Sequence, residues 1–501
     1  MPGLEGLSRE ELVELARAQA GRIAERDLRI AERDERIAAQ DRRIEELTGR
    51  LARLERLLSR NSRNSSMAPS SDDQPGKAAP KEKPGRGKDA GGAGKPGKRR
   101  GDAGRHLRWS EDPDETVPHH PRGRCACGSD LGAAEDLGVR LSRQEHEIPL
   151  ISARVVQHDM HAAQCRCGAV HQAAPPEGLA AAPVSYGVNL RAWCVFLMVV
   201  HAVPVQRCCQ IVESLTGAKP STGFVQSLIG RAAAALEQVD KQIRTLITLA
   251  YAVCCDETPI RVGARKAKKY LLVACTKLYT WYMVGDRTLA TFKAFVLKEL
   301  TGVVVHDRYQ NYDSAEVGEH LHQLCCGHLL RDLEDAAEVY PDAHWPGQIA
   351  DALRGLIHAA NTAREQDLDH IDELTKTELI TWFRRGVRVG LAQVPPAAGK
   401  KDKQPPGRPL LEVLRDREAD VLRFAHDLKV PPTSNQAERD LRPAKTQQKI
   451  SGRLRSEQTT TDRYRIRGYT STATKHDVDV LTAIRDALVG RPWTPPNPAP
   501  T

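Results

Sequence analysis

No segment of the 501-residue chain reaches 18 apolar residues free of charge, so nothing in it reads as a membrane span. The longest apolar run, Ala192 to Val205, is interrupted by His201 and followed by Arg207, which suits a buried helix. Met1 leads into a charged helical pattern, so no secretory leader is expected. The expected setting is therefore cytoplasmic. Net charge is modest, 74 basic against 65 acidic residues for +9. Twelve cysteines without a leader do not imply a disulfide framework. Cys194, Cys208, Cys209, Cys254, Cys255, Cys275, Cys325 and Cys326 lie in apolar surroundings and read as core thiols.

What the chain does have is uneven. From Gln74 to Arg108, eleven Lys or Arg face only Glu82, Asp89 and Asp102 in a stretch rich in Gly and Pro. This reads as a flexible basic linker (residues 61–118) able to lie along phosphates, Lys98, Arg99 and Arg100 included. Before it, a seven-residue repeat places Ile23, Ile30, Ile37, Ile44, Leu51 and Leu58 at one heptad position. Leu47 and Leu54 fill the partner position only in the later half, so residues 1–60 are expected to form a coiled coil that makes a homo-oligomer. After the linker, Cys125-Ala-Cys127-Gly128 and Cys165-Arg-Cys167-Gly168 repeat one unit. Four thiolates suit a structural Zn²⁺ in a region (119–178) too small for its own core, although each pair is one residue short of Cys-x-x-Cys. Four ordinary reduced thiols are the alternative.

Residues 179–246 read as helices broken near Pro204 and at Gly217–Pro220, either a plain helical layer or a DNA-reading element. The segments YAVCCDE, KYLLVACT, YTWYMVG, a helix around Leu289–Leu300, and GVVVHD give strand, strand, strand, helix, strand, the order of a ribonuclease-H-like core. In that order Asp256 and Asp307 end the first and fourth strands, which are neighbours. Glu257, next along the strand, points to the opposite face. Glu438 opens a helix-like segment, NQAERDLRP, followed by Arg439, Arg442, Lys445, Lys449, Arg453 and Arg455. Clustered carboxylates repel unless a divalent cation neutralises them, and two Mg²⁺ ions can drive in-line displacement at a phosphodiester. Each acid has a plain alternative: Asp256 and Asp307 as turn formers, Glu438 as a capping residue or a partner of Arg442. His328 and Arg331 are candidates to assist.

The chain resembles the insertion-sequence-66 family of DDE transposases. The likeness is carried by SRNSRNSSMAPSSDD (Ser59–Asp73), the Cys pairs, YGVNLRA, VPVQR, DETPIRV, HDRYQNY, HQLCCGHLLRDL (His322–Leu333) and SNQAERDLRPAK (Ser434–Lys445). It departs in the linker, where GKRRGDAG stands in place of a Gly-Gly-Gln-Pro-Gly-His-like element, and in the shortened Cys pairs. The resemblance implies a multidomain α+β protein with an N-terminal zipper, a zinc-binding region, a helical region and a catalytic core. It implies catalytic carboxylates at Asp256, Asp307 and Glu438, strand cleavage and strand transfer on double-stranded DNA, and binding of the element's terminal inverted repeats and of target DNA. Helper proteins of the same element are also implied. The core is expected at 247–333 and 430–490, divided by a mainly helical insertion at 334–429 and followed by a tail at 491–501. A nuclease of the same fold, or a decayed DNA-binding oligomer without chemistry, stays open.

Overall fold

In the computed structural model the described residues are 107–496, apart from 177–178, 180–181, 265–266 and 400–401, together with a few positions between 10 and 40. The apolar seam of the heptad repeat, most of the basic linker and Lys98, Arg99 and Arg100 lie outside them. The chain divides into two units, Lys81–Val155 and the remainder.

In the first unit no described residue is buried. Its order comes from local bonds: Cys125 N–H to Ser129 O (2.9 Å), Gly128 N–H to Cys125 O (2.8 Å), and a reciprocal pair between Ser110 and Gln144. In the second unit a hairpin of β1 (Ala162–Gln164) and β2 (Val170–Gln172) surrounds the second Cys pair. Its turn repeats the first: Cys165 N–H to Ala169 O and Gly168 N–H to Cys165 O, both 2.8 Å. Gly128 (φ 92°) and Gly168 (φ 88°) both take the left-handed conformation that ends the turn, which explains the shared glycine.

The rest of this unit is a five-stranded mixed sheet and its helices. The apolar run becomes α1 (Val188–Val195) and a π-helical turn (Phe196–Val200), with Cys194, Val195 and Met198 buried. Pro204 then precedes α2 (Val205–Thr216), which Gly217 closes at φ 76°, and the Ser221 hydroxyl caps α3 (Thr222–Ala235) by accepting the Phe224 N–H at 3.2 Å. After α4 (Glu237–Thr248) come β3 (Ala252–Ile260), β4 (Lys269–Cys275), β5 (Thr280–Gly285), α5 (Leu289–Ala294), β6 (Val303–His306) and β7 (Leu321–Leu324). The sheet order is β5-β4-β3-β6-β7, with β3–β4 and β4–β5 antiparallel and β3–β6 and β6–β7 parallel.

Alternation along β3 separates two cores. Val253, Cys255, Leu272, Ala274 and Val304 pack with Leu228, Ile243 and Ile247 of the preceding helices. Cys254, Val273, Val303 and Val305 face the other way, against Ala437, Leu441 and Ala444 of a later helix, α11 (Asn435–Ile450). Between sheet and α11 run α6 (Cys326–Val339), α7 (Trp345–Glu365), α8 (Glu373–Gln393), α9 (Arg408–Asp416) and α10 (Glu418–His426), around a third core containing Trp345, Phe383 and Phe424. Buried Gln323 stitches β7 to α10: its Oε1 accepts the Phe424 N–H at 2.8 Å and its Nε2 donates to Val421 O at 3.0 Å. Helices α12 (Glu457–Lys475) and α13 (Val480–Leu488) complete the unit.

At the start of β6, Gly302 passes so close to β3 that a Cβ there would lie 2.2 Å from Tyr251 O. Because that obstacle is backbone, Gly302→Ala forces the strands apart next to the bond from Val303 N–H to Tyr251 O. The expected loss is on the order of 2 kcal/mol, read as a lowered denaturant midpoint at unchanged slope. An unaltered midpoint would show that β6 tolerates a shift.

Candidate catalytic site

Parallel pairing of β3 with β6 runs Ala252↔Val303, Val253↔Val304, Cys254↔Val305, a constant offset of 51. The same offset carries Asp256 to Asp307, one residue beyond the end of β6. The two are thus level on neighbouring strands, on the face that α11 covers. Asp256 does not end its strand, as the sequence pattern implied: β3 continues to Ile260 against β4. What ends there is the parallel partner, and this opens the sheet beside Asp256.

Glu438 lies in the first turn of α11 on the same side. Its Oε1 accepts from Arg331 Nη2 at 2.8 Å and lies 3.9 Å from His328 Nε2, both cations being on α6. It is therefore neither a capping residue nor a partner of Arg442. Lys445, one helical turn further along α11 than Arg442's side, is half-buried and is held below the usual lysine range by burial, against the pull of Asp256 and Glu438. Three acids and three bases thus share the site.

The charges are not balanced evenly. Asp256 is pushed well above the ordinary carboxylate range, by burial first and then by the like charges of Glu257 and Asp307, with His328 pulling the other way. Its Oδ1 accepts the Glu257 N–H at 2.8 Å, and Asp307 Oδ1 accepts the Tyr309 N–H at 2.8 Å. Among the described residues, the group of three side chains whose donor atoms all lie within 4.8 Å of one another is His306, Asp313 and His322, not the acidic trio.

Glu257 points to the opposite face. Buried there, it accepts from Tyr312 Oη at 2.8 Å and pairs with Arg287. Cys325, read as a core thiol, is buried but polar in its contacts: its sulfur accepts the Ser434 N–H at 3.2 Å. Burial raises this thiol, but His328 beside it, together with the bonds from Ser434, more than offsets that and brings it to about 7. Burial likewise opposes charge on His328, but the Cys325 sulfur and Asp256 lift it to about 9.

A positioning network escaped the sequence reading. Lys475 Nζ, on α12, donates to Asp440 Oδ2 (2.9 Å), Thr280 Oγ1 (2.6 Å), Thr276 O (2.9 Å) and Tyr279 O (3.0 Å). Tyr282 Oη donates to Asp440 O at 2.6 Å. Asp440 is two residues from Glu438, so this network fixes α11 against β5. Short polar residues in a helix carry no sequence pattern that announces such a contact.

Of the basic residues expected on DNA, Arg439, Arg442 and Lys449 are exposed along α11, whereas Arg453 Nη1 donates to Ala264 O at 2.8 Å. The Cys turns are exposed, and the Ser129 hydroxyl beside Cys127 draws that thiol down to about 7.

Residues 183–462 match the family model described as Transposase IS66 family, more than half of the chain. The chain belongs to the IS66 transposase family. That membership makes it a DNA-processing enzyme of transposition, in a family that generally uses a divalent metal. Residues 14–103 match a second model, a family of unknown function (DUF6444). No curated protein matches the chain. No helix among the described residues is long and apolar enough to cross a membrane.

Proposed function

We propose that this IS66-family protein cleaves DNA at the ends of its element and joins the freed 3′ ends to a target, on a ribonuclease-H-like core whose catalytic carboxylates are Asp256, Asp307 and Glu438. The strand order, three antiparallel strands followed by two parallel ones, supports that core. The observation that carries the reading is the level register of Asp256 and Asp307 beneath the helix that bears Glu438.

The donor set fits Mg²⁺. All three candidate ligands are carboxylates, the oxygen donors that hard cations take. The like-charge pressure on Asp256 is the condition a bound divalent ion relieves. Two Mg²⁺ ions bound there would supply activation of the attacking oxygen and stabilisation of the leaving one. The chain's residues do the rest. Asp256 and Asp307 present paired oxygens from a rigid sheet, and Arg331 holds Glu438 ready until it is released to them. Lys445, close to both Asp256 and Glu438, is placed to meet a phosphate oxygen. Arg439, Arg442 and Lys449 continue a basic track along α11 for the DNA backbone.

Water is the first nucleophile and the freed 3′-hydroxyl the second; both displace oxygen at phosphorus, so no covalent protein intermediate is required. Zn²⁺ on Cys125, Cys127, Cys165 and Cys167 is proposed as a structural ion on the repeated Cys-x-Cys-Gly unit of the sequence alone. Terminal inverted repeats and target DNA are the partners, with a coiled-coil homo-oligomer pairing two ends and helper proteins of the element taking part.

The test is strand transfer by the purified chain on duplexes carrying the element's ends. Joined products with Mg²⁺ and none with chelator are expected, and Glu438→Gln should abolish them while end binding stays within about twofold. Cleavage without joining would make the protein a nuclease of this fold. Salt-dependent binding without any metal-dependent chemistry would make it an architectural protein.

A further inference from the structure

On the face of the sheet away from Asp307, three side chains converge that the proposed chemistry leaves unused. His306 ends β6 and is fully buried, His322 is the second residue of β7, and Asp313 ends the 3₁₀ turn Gln310–Asp313. His306 Nε2 lies 3.0 Å from His322 Nδ1, and Asp313 Oδ1 lies 3.8 Å from His322 Nδ1. We propose that His306, His322 and Asp313 form a structural site for Zn²⁺ or a similar borderline divalent ion, separate from the Mg²⁺ carboxylates.

The spacing suits the ion. Two imidazole nitrogens about 2.0–2.1 Å from a tetrahedral Zn²⁺ stand about 3.3 Å apart, close to the separation found here. The donors also suit it, since two imidazoles and one carboxylate select zinc-like ions over Mg²⁺, which prefers oxygen throughout. Asp313 is already oriented from behind: Arg417 Nη1 donates to Oδ2 at 2.8 Å, which leaves Oδ1 toward the histidines, as outer-sphere partners of metal ligands do. Without an ion, the buried His306 ring has His322 as its hydrogen-bond partner on one nitrogen and nothing on Nδ1. His320 is turned to Val317 O at 3.4 Å, which would leave the fourth position of the proposed site to solvent. An ion here ties β6, β7 and the intervening turn together, and Asp307 is the next residue along from His306. It stiffens the strand end that carries a catalytic ligand without touching DNA.

Metal binding is measured without DNA, so the outcome is independent of whether the chain transfers strands. In the full chain with Cys125, Cys127, Cys165 and Cys167 all changed to Ser, and with Mg²⁺ in large excess to hold the carboxylates, Co²⁺ titration is expected to show one bound ion per chain. Its visible bands should come without thiolate charge-transfer absorption. Adding His322→Gln should weaken that binding at least tenfold, and Asp313→Asn should weaken it measurably. Should the four-Ser protein fail to fold, zinc content by elemental analysis of His322→Gln must fall by one ion per chain relative to the unmutated protein. No bound Co²⁺, binding undiminished by His322→Gln, or an unchanged zinc count would each overturn the proposal and leave a plain histidine–histidine hydrogen bond.

Discussion

Asp256→Asn is expected to stop strand cleavage and, in the same protein, to raise the melting temperature of the metal-free form. Removing one of two paired metal ligands should lower the rate at least a thousandfold, about 4 kcal/mol of transition-state stabilisation. The stability gain has a separate origin. Asp256 is crowded by burial and by Glu257 and Asp307, so its ionised form is disfavoured in the folded chain. A carboxyl whose folded pKa is raised destabilises the fold as pH climbs through its unfolded value of about 3.9 toward the folded one, and does nothing below. The advantage of Asn should therefore be present at neutral pH and vanish near pH 3. Mg²⁺ should stabilise the parent chain and leave the variant unmoved. Thermal melts across pH, with and without Mg²⁺, check all of this. A variant that melts lower at pH 7, or one that still cleaves, would remove Asp256 from the role given to it.

Asp440→Ala should be among the most destabilising single changes in the sheet region, by about 3–5 kcal/mol, the cost of leaving a buried charge without its partner. The side chains of Lys475 and Asp440 are only 12% and 10% exposed, and the lysine would keep three neutral acceptors but lose its anion. Because Asp440 also anchors Thr280 and, through its carbonyl, Tyr282, the loss should loosen α11 against β5. Cleavage should then fall in proportion to unfolding and recover when the temperature is lowered, unlike the loss in Asp256→Asn. An unfolding free energy from chemical denaturation within about 1 kcal/mol of the parent would show that water replaces the carboxylate at little cost.

Segments YAVCCDE, KYLLVACT, YTWYMVG and GVVVHD are strands because β-branched and aromatic residues fill a sheet buried on both faces, and that composition is visible without coordinates. The fifth strand, Leu321–Leu324, is short and reads LHQL, with two polar residues held by tertiary contacts, so no periodicity announces it. Asp256 looked like a strand end because the apolar run stops there; antiparallel pairing with β4 carries β3 four residues further. Glu257 turned to the far face, as alternation along a strand requires, but its Arg287 and Tyr312 partners come from loops no pattern connects to it. Cys325 shares the apolar neighbourhood of the other thiols, and it is the helix starting at Cys326 that turns His328, three residues on, toward its sulfur. The apolar seam residues of the heptad repeat and most of the basic run fall outside the described residues.

Diffraction from crystals grown with Mn²⁺ and element-end DNA tests the central claim most directly. Anomalous peaks are expected against both Asp256 and Asp307, with Glu438 reaching one of them after leaving Arg331. Well-ordered DNA with its scissile phosphate in the site, and manganese found only away from these three carboxylates, would contradict the assignment.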